Sequence, residues 1–444
     1  MHSHTNTRTI FSIHRKSIPL TFQGSFAVAL LLCLAVTSPC MGQVLGRSGS
    51  KGASSSLSMA ATSVQGTGGS SLRDRAEGSL LGLFVGDALS MPVHWYYDAS
   101  AIPKDYGGPI RDFLAPKEPH PSSIMSLSNT GGAGRGGKSG SIIGDVINHG
   151  KKHLWGPRGT HYHHGMQAGE NTLNALTARV VMRAFTAAGD VDVSAFMQAY
   201  VKFMTTPGSH NDTYAESYHR MFFANWVAKK PLKECADDDE HNIASMGGMV
   251  NLPPAALMAA LKHVQGGSEA HTAAEAAAEA QMFATHNSPA LAVYARLYGS
   301  LLSRLVHGQP LEEALLETGK AIGLDLPALA KRGLKDTQVI GQIFSSACYI
   351  EHSFPCLLYL AYKYRGSPEE ALVANTNAGG ENVHRGAALG ALMGAAHGSS
   401  AWPARWRDGL HAKEAIGEEI SAFLQAAGAG DTAEGGAAGD DRSA

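Results

Sequence analysis

The sequence predicts an all-α fold in one compact domain, and three observations carry that expectation. No stretch alternates apolar and polar residues over a useful strand length, whereas helical periodicity dominates after Gly165. Aromatic content is only 7% while Ala and Gly abound, which suits closely packed helices better than a β-sandwich. Two segments also place glycine at every fourth position: Gly78, Gly82 and Gly86 near one end, and Gly386, Gly390, Gly394 and Gly398 near the other. Residues four apart share a helix face, and a glycine inside a helix costs roughly 0.5–1 kcal/mol relative to alanine. A glycine stripe makes sense when a second backbone packs closely against it, so these two helices are expected to pack on each other.

Composition sets the outer bounds. With 444 residues, 44% of them hydrophobic and 17% charged, the chain has ample material for a core. A formal net charge of −2 leaves no global electrostatic footprint for nucleic acid or an anionic membrane surface. The five cysteines contain no CxxC pair, so neither a disulfide framework nor a structural zinc knuckle is indicated.

Along the chain, basic residues precede an apolar run from Phe26 to Val36 and then small residues, the layout of a secretory signal. Residues 1–42 are therefore read as a targeting segment, too short in its apolar run for a comfortable membrane span, and 43–72 as a Ser/Gly-rich linker. The expected destination is the secretory pathway or outside the cell; a two-part plastid leader is the alternative. The folded domain is placed at 73–425 and a Gly/Ala/Asp-rich tail at 426–444. Residues 98–165 look irregular, and within them Gly132–Ser139 formally satisfies GxxxxGK[ST]. No hydrophobic strand precedes it, so a mobile loop beside a cleft is the preferred reading.

Helices are then expected at Val193–Phe203, Thr213–Val227, from Asn251-Leu-Pro-Pro onward, at His271–Thr285 and from Ser288, where Ser is the N-cap and Pro289 the first helical residue. Ser367-Pro368 repeats that start. The segment from Asn375 to Gly398 reads as a polar, glycine-bent loop (Asn375, Asn377, Gly379, Gly380, Glu381, Asn382, His384) feeding a buried helix whose N-terminal dipole suits a phosphate or carboxylate.

Placed on these helices, the motifs GDALSMPVHW (from Gly86), AGENTLNALTAR (from Ala168), HNIASMGGMVNLPPAAL (from His241), THNSPALAVYARL (from Thr285) and NTNAGGENVHRGAALGALMGA (from Asn375) resemble, in that order, the ADP-ribosylglycohydrolase family. The resemblance covers roughly Asp74 to Ser400 and implies an orthogonal helix bundle. It also implies hydrolysis of an N- or O-glycosidic bond at ribose C1″ of ADP-ribosylated protein or a related small molecule, with two Mg²⁺ ions. The usual T-D-D-T reads Gly169-Glu170-Asn171-Thr172 here, and G-G-D-x-D-T reads Gly379-Gly380-Glu381-Asn382-Val383-His384. A site that loses carboxylates and gains an imidazole is less suited to Mg²⁺, which wants oxygen ligands.

Glu170, Glu381 and His384, with Asp87, could instead hold one softer ion such as Mn²⁺, Zn²⁺ or Fe²⁺. Alternatively Glu170 and Glu381 act as a metal-free acid/base pair with Asp87 beside them. Asn171, Asn174, His163, His164, His286, Asn382 and His384 are candidate substrate contacts, and Gly247 and Gly248 would bring backbone amides to phosphates. Asp212 or Asp145 could replace the acid lost at Val383. The partner expected is free or protein-linked ADP-ribose. The competing readings are a non-catalytic nucleotide-binding or structural relative, and a hydrolase of another N-glycoside.

Overall fold

The two glycine stripes meet. In the computed structural model, which describes residues 70–132 and 141–429, α1 (Leu72–Ser90) lies along the helix Asn382–His397 with backbone against backbone. A Cβ added to Gly390 would stand 1.9 Å from the Gly82 carbonyl oxygen, one added to Gly86 2.1 Å from that of Gly386, and one added to Gly394 1.9 Å from that of Gly78. Ser71 caps α1 by accepting the Asp74 N–H at 3.1 Å. The leader, nearly all of the expected linker and tail, and the Gly-rich loop from residue 133 fall outside the described residues.

The remaining principal helices are α2 (Leu173–Ala188), α3 (Val193–Thr205), α4 (Ser217–Val227), α5 (Leu252–Leu261), α6 (Ser268–Phe283), α7 (Ala292–Val306), α8 (Ile350–Lys363), α9 (Pro368–Ala378), α10 (Asn382–His397) and α11 (Lys413–Ala426). Among the described residues there is no strand or sheet, only isolated bridges, and the fold is all-α. α5, α6 and α7 pack in sequence, α2 lies between α3 and α11, and α8 and α9 close over α10. Fully buried side chains such as Phe84, Phe185, Tyr298, Leu357 and Leu389 fill the core between them. None of the described helices is long and apolar enough to cross a membrane.

Several boundaries differ from the sequence expectation. Asn375 and Asn377 belong to α9, and the loop before α10 shrinks to Gly379–Glu381. Their amides are engaged by backbone, Asn375 by the Asn382 carbonyl at 2.7 Å and Asn377 by the carbonyls of Ile110 and of Val373 one turn back in its own helix, both at 2.8 Å. So occupied, they sit within the helix instead of opening a loop. α4 begins at Ser217 instead of Thr213, because Asn148 binds the Asp212 and Thr213 carbonyls and holds that stretch open. Ser288 and Ser367 stand at helix starts but cap neither with their side chains, and a 3₁₀ turn, Pro289–Leu291, precedes α7.

Candidate active site

Two tight turns deliver the central groups. Gly379 and Gly380 adopt φ of +68° and +62°, and a Cβ on Gly380 would lie 2.2 Å from the Ser346 carbonyl oxygen. Trp95 also has a positive φ of 59°, an uncommon state for a bulky residue. Trp95 N donates to Gly380 O and Gly380 N to Tyr96 O, both at 2.8 Å, which ties the segment after α1 to the loop before α10. This pairing brings His94 and Trp95 against Glu381.

Glu381 is completely buried, and three groups converge on it. Trp95 Nε1 donates to Oε2 at 2.7 Å, His94 Nε2 lies 3.2 Å from Oε1, and His384 Nδ1 lies 2.6 Å from the same oxygen. The His384 contact is close enough for an ion pair but out of line for a hydrogen bond, and Nδ1 has no aligned partner among the described residues. Behind His94 the chain continues: its Nδ1 meets His163 Nε2 at 2.7 Å, and His163 Nδ1 meets Asp212 Oδ1 at 2.8 Å. Asp212 Oδ2 accepts the Leu173 N–H at 2.8 Å, so one carboxylate both anchors this chain and caps α2.

Electrostatics sort these groups. Burial would raise the Glu381 carboxyl, but His384 and His94 outweigh it and hold the pKa well below the ordinary range. Burial disfavours the His384 imidazolium, yet Glu381 and then Glu216 lift its pKa to about 9. For His94 burial dominates over Glu381, and the ring stays neutral with a pKa of about 3. Glu216, whose Oε1 lies 3.9 Å from His384 Nδ1, is pushed up by burial and by Glu381 against the opposing pull of His384.

Above Glu216 and Trp95 opens a cleft of about 440 Å³, walled by Tyr97, Tyr214, Arg220 and Tyr349, with Leu127 exposed on its lip. Arg220 is fixed there by the Ala215 and Asn129 carbonyls and Ser217 Oγ. A separate surface pocket of about 240 Å³ beside Arg73 and Arg407 contains none of these groups.

The remaining expected site residues are distributed as follows. Glu381, His384 and His163 belong to the cluster. Glu170 does not: half-buried on the loop before α2, it accepts the Gln167 N–H and an Asn211 amide proton. Asp87 is buried but spent on the start of α2, accepting from Thr172 N at 2.8 Å, Thr172 Oγ1 at 2.6 Å and Asn171 Nδ2 at 2.9 Å. Burial raises its carboxyl above the ordinary value against those donors. Asn174 Nδ2 holds Glu216 Oε2 at 2.7 Å. Asn382 Nδ2 serves the Val93 and Thr376 carbonyls.

Gly247 and Gly248 face neighbouring side chains: a Cβ on Gly247 would stand 2.2 Å from Glu216 Oε2, and one on Gly248 2.5 Å from Met282 Sδ, so their smallness makes room for those groups. His286 is buried against Tyr218, and His164 pairs with Glu118 away from the cluster. Of the two proposed substitutes for the acid lost at Val383, Asp212 joins the cluster through His163, whereas Asp145 is exposed near Lys152. Sequence reasoning passes over His94 and Glu216. A lone histidine in an apolar run and one acid before a helix carry no local signature.

A sequence profile of the ADP-ribosylglycohydrolase family matches residues 69–433, and the chain belongs to that family. Its members are hydrolytic and generally metal-dependent, acting on ADP-ribose-linked substrates. No curated protein matches the chain. One solved structure similar to it, an ADP-ribosylglycohydrolase-related protein complex, shares 21% identity over 80% of this chain and 99% of its own, with a TM-score of 0.49.

The donor set does not fit a pair of Mg²⁺ ions. Val383 is a buried apolar residue with no ligand atom, Thr172 Oγ1 and Asn171 are engaged by Asp87, and Glu170 lies apart with Asn211. What converges instead is two imidazoles and one carboxylate.

Proposed function

We propose that the protein hydrolyses the glycosidic bond at ribose C1″ of an ADP-ribosylated protein or related ADP-ribosyl small molecule, using Glu216 as the general acid. One observation carries the reading: a fully buried carboxyl, Glu381, and a largely buried one, Glu216, flank His384, and their surroundings push them in opposite directions, Glu216 up and Glu381 down. Paired groups displaced in opposite senses are how a site assigns acid and base roles at one pH.

Glu216 lines the cleft and keeps its proton to a higher pH than an ordinary carboxylic acid. It gives that proton to the departing nitrogen or oxygen as the bond to C1″ breaks. The sugar then passes through an oxocarbenium-like state, and the ionised Glu381, in a dry interior, favours the developing positive charge. A water adds to C1″ and its proton restores Glu216. Tyr97, Tyr349 and Trp95 offer faces for a base or sugar, and Arg220 a positive charge for a diphosphate.

The test is release of ADP-ribose, followed by chromatography, from arginine-linked and serine-linked peptides and from an acetylated ADP-ribose. Glu216→Gln is expected to lower kcat by about 10²- to 10⁴-fold with KM little changed. Full activity in that variant, or binding of ADP-ribose with no release from any linkage, would overturn the reading, and the second result would favour a non-catalytic binding protein.

A further inference from the structure

We infer that His94, Glu381 and His384 form a centre for one first-row transition-metal dication, of which Zn²⁺ is the best match, in place of the family's pair of Mg²⁺ ions. Three independent features of the cluster lead there.

The first is an unpartnered polar atom at the centre of the cluster. His384 Nδ1 is buried and stands 2.6 Å from Glu381 Oε1 without an aligned hydrogen bond. His94 Nε2 lies 3.2 Å from the same oxygen, so two ring nitrogens converge on one carboxylate oxygen. A buried polar atom without an aligned partner is costly in a dry interior, and a cation held by all three atoms satisfies it.

The second is support. A metal-binding imidazole is ordinarily held by a hydrogen bond from its other nitrogen to a carboxylate or another acceptor. His94 has such a support in His163 and Asp212, each link between 2.7 and 2.8 Å. Trp95 Nε1 occupies Glu381 Oε2, so only Oε1 is presented to the two rings.

The third is size and softness. Ligand atoms about 2.0–2.1 Å from a tetrahedral Zn²⁺ lie ~3.3 Å apart. The His94 to Glu381 separation of 3.2 Å already matches, and the His384 contact of 2.6 Å would open slightly. The three ligand atoms lie within 4.8 Å of one another, and an adjoining recess of about 10 Å³ touches His94, His384 and Glu216. Two imidazoles and one carboxylate favour zinc, iron(II) or a neighbouring ion over Mg²⁺. Three protein ligands with a further position open is the arrangement of metal centres that do chemistry rather than hold a fold.

The full-length protein, purified without chelator, is expected to carry about one equivalent of a transition metal by elemental analysis. After chelation it should take up Co²⁺ with a visible ligand-field band, and excess Mg²⁺ should not displace it. Glu381→Gln and His94→Ala should abolish that band while circular dichroism shows them folded. His163→Ala, which removes only the support, should weaken Co²⁺ binding by about 10- to 100-fold. Wild-type protein that neither carries metal nor develops the band would overturn the inference. A band that survives in both ligand variants would also overturn it. None of these readouts requires turnover, so they stand or fall apart from the glycosidic reaction.

Discussion

The contact between α1 and α10 makes a quantitative prediction through Gly390→Ala. The new methyl would stand 1.9 Å from the Gly82 carbonyl oxygen and 2.6 Å from its carbonyl carbon, both backbone atoms that no rotamer change can move. Restoring an ordinary contact of about 3.4 Å requires the helices to part locally by ~1.5 Å, and a gap of even 0.5–1 Å forfeits a quarter to a half of each dispersion contact. Overpacking of this kind costs about 1–3 kcal/mol and occasionally more, while alanine returns ~1 kcal/mol of helix propensity.

The upper end of that range applies here, since backbone meets backbone, and after the helix-propensity gain the net expectation is a loss of about 2 kcal/mol. Gly417→Ala is the matched control: it lies inside α11, is exposed, and a Cβ there meets nothing within 4 Å, so it should gain roughly 0.5–1 kcal/mol. Urea unfolding followed by far-UV circular dichroism reads both. If Gly390→Ala is as stabilising as Gly417→Ala, the close approach of the two backbones is wrong.

Further predictions follow from individual groups. Burial depresses His286 to a pKa of about 3 and His120 to about 4, and lowers His161 and His219 as well. Each is neutral when folded and takes up a proton near pH 6.5 when unfolded, so its contribution is complete above that pH and is lost as pH falls toward the folded value. At pH 5 that amounts to about 2 kcal/mol each for His286 and His120, and thermal midpoints measured from pH 7 to 5 should fall steeply; a flat profile would contradict the burial.

Asp212→Ala removes the partner of both His163 and the Leu173 amide and should cost about 3 kcal/mol in urea unfolding, where a loss under ~1 kcal/mol would show that pairing to be dispensable. Gly247→Ala pushes a methyl against Glu216 Oε2 and should reduce kcat by at least about tenfold, more than it changes KM; unaltered kinetics would remove Glu216 from its assigned role.

Much of the architecture was legible locally. The four-residue glycine period encodes a face too shallow for anything except another backbone, and the pairing of α1 with α10 follows from there being two such faces. The loop before α10 was legible in part: Gly379 and Gly380 mark the turn, Glu381 ends it, and His384 follows in the first turn of α10. Asn375 and Asn377 misled because an asparagine reads as a loop former until backbone carbonyls brought beside it engage its amide.

Composition, periodicity and glycine spacing are properties of neighbouring residues, and they suffice to determine an all-α chain and its main helices, while the ordered motifs carry the resemblance to its family. The site is not such a property. His94, His163, Asp212, Glu216 and Glu381 come from four separate segments, and whether a carboxyl caps a helix, as Asp87 does, or faces an imidazole, as Glu381 does, depends on which backbone amides packing leaves beside it. Burial then decides their charge, because the cost of ionising a group depends on solvent removed by the whole fold. Those two facts, proximity across the chain and exclusion of water, exist only once the helices have packed.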